Sequence, residues 1–236
     1  MGHWENENEA SFRHLGASGE AVDYAGRSFD RFDLRPFLES MLPRMAFASE
    51  HPHAFEYGTG TGPGACFLAG RGFLVDAIDI SPAAITLARR FAAERGLRIS
   101  FAVGDIARMA PPGTPYDLVV DNFCLQRLVA DDDRRRTLEA VRGLLAPQGY
   151  FVVGTVLYRP DRDFGPDRFD PSTGIVYRRI EGEPAPGADT VRFGTEWFVA
   201  RRRIALSPES LREELARAGL RVTHQEGARC VCIPAD

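Results

Sequence analysis

The chain has 236 residues, 44% of them hydrophobic and 26% charged, with a formal net charge of −4 and a pI near 5.8. That suits one globular domain with a full core, and the acidic balance argues against a nucleic-acid-binding face. No apolar stretch approaches a membrane span, and no secretory segment follows the polar start "MGHWENENEA", so a cytoplasmic location is expected.

Residues 1–52 read as an N-terminal helical arm. Phe12, Leu15, Val22, Tyr24 and Phe29 are scattered through its polar first part. "DLRPFLESMLPRM" predicts a helix capped by Asp33 and ended by Pro43. A core of 53–156 follows. "HAFEYG" is a first buried strand, "GACFLAGRG" a short helix and "FLVDAID" a second strand. "SPAAITLARRFAAERG" carries helix punctuation: Ser81 as N-cap, Pro82 at the first position and Gly96 past the end. "RISFAVGD" and "YDLVVD" are the next strands, "DDDRRRTLEAVRGLLAPQG" a helix and "YFVVGTV" the fifth strand. Strand and helix alternate five times, the signature of a doubly wound α/β sheet. Residues 157–206 break the rhythm and predict a small inserted β cap, entered by a loop rich in Pro, Gly and Asp. The segment 207–236 returns to the core with the helix "SPESLREELARAG" and the strands "LRVTHQE" and "ARCVCIP". Cys230 and Cys232 alternate on the last strand and read as reduced core thiols.

The chemistry concentrates at "HAFEYGTGTGPGA", where Gly58, Gly60, Gly62 and Gly64 follow the first strand. A glycine-rich turn between strand and helix brings backbone N–H groups against a ligand at the carboxyl edge of the sheet. A dinucleotide fingerprint fits poorly, because Pro63 takes a glycine position when the count starts at Gly58. Glu56 stands before the glycines, and Asp79, Asp105 and Asp121 close strands two, three and four. Carboxylates along that edge suit a ligand with hydroxyls, an exocyclic amine or a cation, and would repel a pyrophosphate.

The segments "EYGTGTG", "AIDIS", "GDI" and "YDLVVDNFCLQRL" resemble the class I S-adenosylmethionine-dependent methyltransferases, over about residues 53–156 and the closing helix and strands. The resemblance implies a Rossmann-like seven-stranded sheet and S-adenosylmethionine as cofactor. It implies that Gly58, Gly60 and Gly62 let the backbone approach the methionine part and ribose, with Glu56 orienting the loop. Asp79 would take the ribose hydroxyls, Ile80 and Ile106 would pack on adenine, and Asp105 would accept from its amine. Asp121 and Asn122 would lie by the amino-acid part and the sulfonium. "YAGRSFDRFDLRPFLE" with "YDLVVDNFCLQRLV" is similar to bacterial small-molecule methyltransferases, which would place Tyr24 and Arg27 at the cofactor carboxylate or closing the pocket. Related sequences often carry His where this chain has Gln126, so a histidine base is absent there.

Among the five histidines only His14, on the arm, could overhang the site as a base. No spacing suggests a metal site, and "GTV" stands where metal-dependent catechol-type methyltransferases need a further Asp-Asn after strand five. The run Arg201–Arg203 suits a solvated strand edge or an anionic acceptor. Tyr158, Tyr177, Phe193, Trp197 and Phe198 could line an acceptor site under the cap. The expected reaction is in-line methyl transfer to a small hydrophobic or aromatic acceptor, with no nucleic-acid or membrane partner; an exposed cap or arm could mediate a homodimer. Two alternatives stay open: intramolecular cyclisation or cleavage of S-adenosylmethionine with release of methylthioadenosine, and an NAD(P)-dependent oxidoreductase.

Overall fold

The computed structural model describes residues 3–18, 28–109, 113–184 and 189–235. The core strands are β1 (His53–Tyr57), β2 (Leu74–Asp79), β3 (Ser100–Val103), β4 (Tyr116–Asn122), β5 (Leu145–Gly154), β10 (Leu220–Glu226) and β11 (Arg229–Pro234). They form one seven-stranded sheet in the order β10-β11-β5-β4-β1-β2-β3. The five strands from β5 to β3 pair in parallel, and β11 and β10 are added antiparallel.

Period-two alternation divides the core between the two faces. Ala54, Leu118, Val120 and Val152 point to one side; Phe55, Val119, Phe151 and Val153 point to the other. The first side is covered by α2 (Arg35–Met41), α3 (Pro63–Ala69) and α4 (Pro82–Glu94), through Phe37, Leu38, Leu68, Ile85, Ala88 and Phe91. The second is covered by α5 (Asp131–Leu144) and α6 (Pro208–Arg217), through Leu138, Val141, Leu211 and Leu215. Cys230 and Cys232 are buried on this second side as free thiols.

Helix starts follow the sequence signals where the cap side chain is free to bond. Ser81 Oγ accepts from Ala84 N at 3.0 Å, and Ser207 forms a reciprocal capping box with Ser210. The expected Asp33 cap is a correction. The cap position of α2 is Leu34, which offers no side-chain bond, and Pro43 lies inside a 3-10 turn, Leu42–Arg44, that continues the helix.

The arm contributes α1 (His3–Ser18), which packs on α4. Glu9 fixes it: Oε2 accepts from Ser81 Oγ at 2.5 Å and Ala83 N at 3.2 Å, at the start of α4, where a negative charge is favoured. Partial burial works against this carboxylate, but the bonds from Ser81, Ala83 and Arg13 outweigh it and hold its pKa below the usual value. Between β5 and α6 the chain forms a separate four-stranded antiparallel sheet. It comprises β6 (Arg168–Phe169), β7 (Ile175–Ile180), β8 (Val191–Phe193) and β9 (Glu196–Arg203), in the order β6-β7-β9-β8. Tyr158 N donates to Ala205 O at 2.8 Å and Ala205 N to Val156 O at 2.9 Å, closing the neck of this cap. Among the described residues no helix is long and apolar enough to cross a membrane.

Candidate active site

The carboxyl ends of β1, β2 and β4 and the turn after β3 open onto a cavity of about 320 Å³, within the usual range of roughly 300–1,000 Å³ for small-molecule sites. Phe12 of α1 overhangs it, so the arm does form one wall. The floor is the glycine loop, where Gly58, Gly60 and Gly62 have φ of +60°, +56° and +88°. Such angles suit glycine and strain other residues.

The crowding that excludes side chains from this loop comes from the protein itself. A Cβ on Gly58 would overlap the Cys124 side chain; one on Gly62 would lie 3.1 Å from Ala88 Cβ and 3.3 Å from Phe101 Cζ. A Cβ on Gly64 would overlap Glu56 Oε1. Glu56 is fully buried behind the loop. Its Oε2 accepts from Thr59 Oγ1 at 2.5 Å and Ala65 N at 2.8 Å, which ties strand, loop and helix together. Burial pushes its pKa up to about 7, against the pull of those two bonds.

Asp79 does face the cavity. Its Oδ2 accepts from Gly60 N and its Oδ1 from Ser81 N, both at 2.9 Å. Burial raises its pKa, and the two backbone donors oppose the rise. Two bonds leave acceptor capacity on a carboxylate that has about four lone-pair sites. Ile80, 37% exposed, and the buried Ile106 line the same cavity. Asp105 joins them, its Oδ1 accepting from Ala107 N at 3.0 Å while Oδ2 lies 3.3 Å from Arg108 Nε.

Glu56, Gly62 and Asp121 are absent from the lining, so of the four strand-end carboxylates Asp79 and Asp105 border the cavity, while Glu56 holds the loop from behind. Asp121 is fully buried: its Oδ2 accepts from Tyr57 OH at 2.5 Å and Leu125 N at 2.9 Å, and its Oδ1 from Cys124 N at 2.6 Å. It organises the turn after β4, and burial pushes its pKa up to about 6. Its neighbour Asn122 does line the cavity. His14 is exposed on α1 and outside the lining. Tyr24 and Arg27 lie outside the described residues.

The cap aromatics are a further correction, because none of them lines the cavity. They pack on one another: Tyr158 on Phe169 at 4.8 Å, Tyr177 on Phe193 at 5.4 Å and Phe193 on Phe198 at 5.3 Å. The second wall comes from Phe32 and Asp33 before α2 and from Phe123, Cys124, Gln126, Arg127 and Leu128 after β4. Phe123 is the one non-glycine residue with positive φ among the described residues, at 64°. Strain of that kind clusters at functional sites. Gln126 is nearly buried, with Nε2 donating to Phe123 O at 3.3 Å and Oε1 without a partner among the described residues. Thr59 and Thr61, alternating with the glycines, also border the cavity. The alternation itself marked them. Nothing in the spacing marked Phe32 or Cys124.

Neither thiol nor phenol here is poised as a base. Burial raises the pKa of Cys124 well above its ordinary value, and burial with the Asp121 charge does the same for Tyr57. Among the described residues no cluster of His, Cys, Asp and Glu could hold a metal ion.

The sheet order, with the glycine loop and Asp79 at its carboxyl edge, matches the fold of class I S-adenosylmethionine-dependent methyltransferases. Residues 54–149 match the family model of the methyltransferase domain, which supports S-adenosylmethionine-dependent methyltransferase activity. It is 28% identical over 176 residues to a demethylmenaquinone methyltransferase of Thermus thermophilus, covering 72% of this chain and 74% of that protein. A 2-heptyl-1-hydroxyquinolin-4(1H)-one methyltransferase of Mycobacteroides abscessus is 29% identical over 116 residues, covering 48% of this chain but only 51% of that one. The fold matches a Burkholderia thailandensis 1,6-didemethyltoxoflavin-N1-methyltransferase, solved with its substrate and S-adenosylhomocysteine. That match has a TM-score of 0.64 at 17% identity, over 98% of this chain and 87% of that one. The cyclisation and oxidoreductase alternatives gain no support from these relatives.

Proposed function

We propose that this cavity transfers a methyl group from S-adenosylmethionine to a small organic acceptor. The observation that carries the reading is Asp79, a buried carboxylate held by two backbone N–H groups with acceptor capacity left toward the cavity. That remaining acceptor capacity fits a ribose diol, and Ile80 and Ile106 offer apolar faces to a purine. Asp105 would accept from the adenine amine, Gly58 and Gly60 would border the methionine part, and Asn122 would stand near the sulfonium. Glu56, Gly62 and Asp121 act at one remove, by fixing the loops that carry these groups. The relatives named above act on a quinone, a hydroxyquinolone and a toxoflavin precursor, which supports a small acceptor with an apolar body. Phe12, Phe32, Phe123 and Leu128 offer such a body its wall.

The bound cofactor supplies an electrophilic methyl on a sulfonium. What the chain must supply is alignment and exclusion of water; holding reactants in line is worth roughly 7–11 kcal/mol at best. Asp79, Ile80 and Ile106 would orient the nucleoside, and Phe12 would close the arm side. No group among the described lining residues is tuned as a strong base, so the acceptor is expected to be a nucleophile that needs little deprotonation by the protein.

The test is turnover with S-adenosylmethionine and a panel of small phenols, quinols and heteroaromatics, measuring both nucleoside products. Acceptor-dependent S-adenosylhomocysteine is the expected result. Methylthioadenosine formed without any acceptor would overturn the reading in favour of cyclisation.

A further inference from the structure

The turn after β4 is tied down by its own hydrogen bonds. Cys124 N and Leu125 N donate to the Asp121 carboxylate, at 2.6 and 2.9 Å. Arg127 N donates to Cys124 O at 2.7 Å, and Leu128 N to Leu125 O at 3.2 Å. Arg134 Nη1 adds a donor to Leu125 O and another to Leu128 O. Gln126 breaks the pattern. Its side chain is 9% exposed, and its buried Oε1 has no partner among the described residues. A buried acceptor without a donor costs stability, and folded chains keep few of them.

The place of this one matters, because Gln126 lines the cavity in the same turn as Phe123 and Leu128. Chemistry fixes which end of the amide is free. Nε2 faces Phe123 O at 3.3 Å, and a flipped amide would set two acceptors against each other. The free end therefore accepts and cannot donate. The one bond that holds the amide is long for an N–H to oxygen contact, and the last torsion of a glutamine is soft. A small rotation turns Oε1 to a donor in the cavity. The N–H groups of Cys124, Leu125, Arg127 and Leu128 are already given to other oxygens of the turn, so they do not supply that donor.

We propose that Gln126 selects the methyl acceptor: the acceptor carries a neutral hydroxyl or N–H group that donates to Gln126 Oε1, on an apolar body that meets Phe123 and Leu128. This rests on the reading of the cavity as the methyl-transfer site, in which Asp79 and Asp105 take the ribose hydroxyls and the adenine amine. An amide carbonyl holds the donor without taking its proton. Gln126 is thus a specificity-determining residue and not a base. A site built to hydrogen-bond a hydroxyl or N–H rejects the analogue that lacks it, because its own polar group is then left unpaired.

The experiment is fluorescence titration of the protein saturated with S-adenosylhomocysteine, using 1-naphthol, 1-naphthylamine and 1-methylnaphthalene. The three share one apolar body, and the third replaces the donor by a methyl group of similar size. Wild type is compared with Gln126→Met, which keeps the reach of the side chain and removes the oxygen. Gln126→Leu serves if Gln126→Met does not melt cooperatively. Gln126→Met should weaken 1-naphthol or 1-naphthylamine about tenfold and leave 1-methylnaphthalene within about twofold, with S-adenosylhomocysteine affinity unchanged. A loosened turn would weaken all three alike. The probe that loses more identifies the donor as hydroxyl or amine. Four results would overturn the proposal: an equal loss for all three probes, no loss for either donor-bearing probe, no binding of those two to wild type, or a loss confined to S-adenosylhomocysteine. The last would give the amide to the cofactor. Failure of wild type to bind S-adenosylhomocysteine at all would instead strike the methyl-transfer site itself.

Discussion

The strand ends at the cavity and the cap beside them meet their buried charges differently. On the strand side, buried carboxylates are each held by donors. Asp79 has two backbone N–H groups, Asp121 has Tyr57 and two more, and Glu56 has Thr59 and Ala65 on Oε2, its buried Oε1 having no partner among the described residues. In the cap, the half-buried Arg202 has an Nε with no hydrogen-bond partner among the described residues. A fully hydrogen-bonded buried group rigidifies its surroundings, whereas an unpartnered one costs stability. The strand ends read as a fixed cradle for a cofactor.

The strongest test of the fixed half is Arg134. Besides Glu214 it donates Nη1 to Leu125 O at 2.7 Å and Leu128 O at 3.1 Å, the turn that forms one cavity wall. Arg134→Met should cost about 3–4 kcal/mol, as breaking a buried pair does, and denaturant melts would register it. Next comes pH. A carboxyl whose folded pKa exceeds its unfolded value binds its proton more tightly when folded, so stability is fully present at low pH. For Glu56 it falls as pH rises from about 4.5 through about 7, by about 3 kcal/mol. Asp121, raised to about 6, adds a loss in the same direction. Melting temperatures at pH 5 and pH 8 should therefore differ more in wild type than in Glu56→Gln. Gly64→Ala should cost about 2 kcal/mol by driving a methyl into Glu56 Oε1. Adding Glu56→Ala should return part of that loss, measured as a double-mutant cycle.

The smallest effects contrast the two neighbours on β9. Arg203→Met removes an exposed pair with Asp131 and should lower stability by about 0.5 kcal/mol. Arg202→Met removes the guanidinium with the unpartnered Nε, and should leave the melting temperature unchanged or raise it by a few degrees.

Much of the core was legible because its signals are local. Ser81, Pro82 and Gly96 mark the ends of α4 within one short segment. The unbroken apolar runs of β4 and β5 fill both faces of a parallel sheet. The site was legible only to the level of strand ends. Whether a terminal carboxylate faces the ligand or the interior depends on partners far along the chain. Asp121 turns inward because Tyr57, 64 positions away, offers it a hydroxyl. Asp33 followed the rule for a helix cap, yet the helix begins one residue later and Asp33 borders the cavity. The cap segments alternate as strands do, and alternation cannot distinguish a sheet packed on itself from one packed over a substrate.

The most direct measurement is calorimetric titration with S-adenosylhomocysteine and with NADPH, for wild type and Asp79→Ala. Wild type should bind the homocysteine compound and not NADPH, and Asp79→Ala should bind it at least about tenfold more weakly, the loss of hydrogen bonds to a charged group, while still melting cooperatively. Equal binding by a folded Asp79→Ala variant, or preference of wild type for NADPH, would contradict the assignment of this cavity.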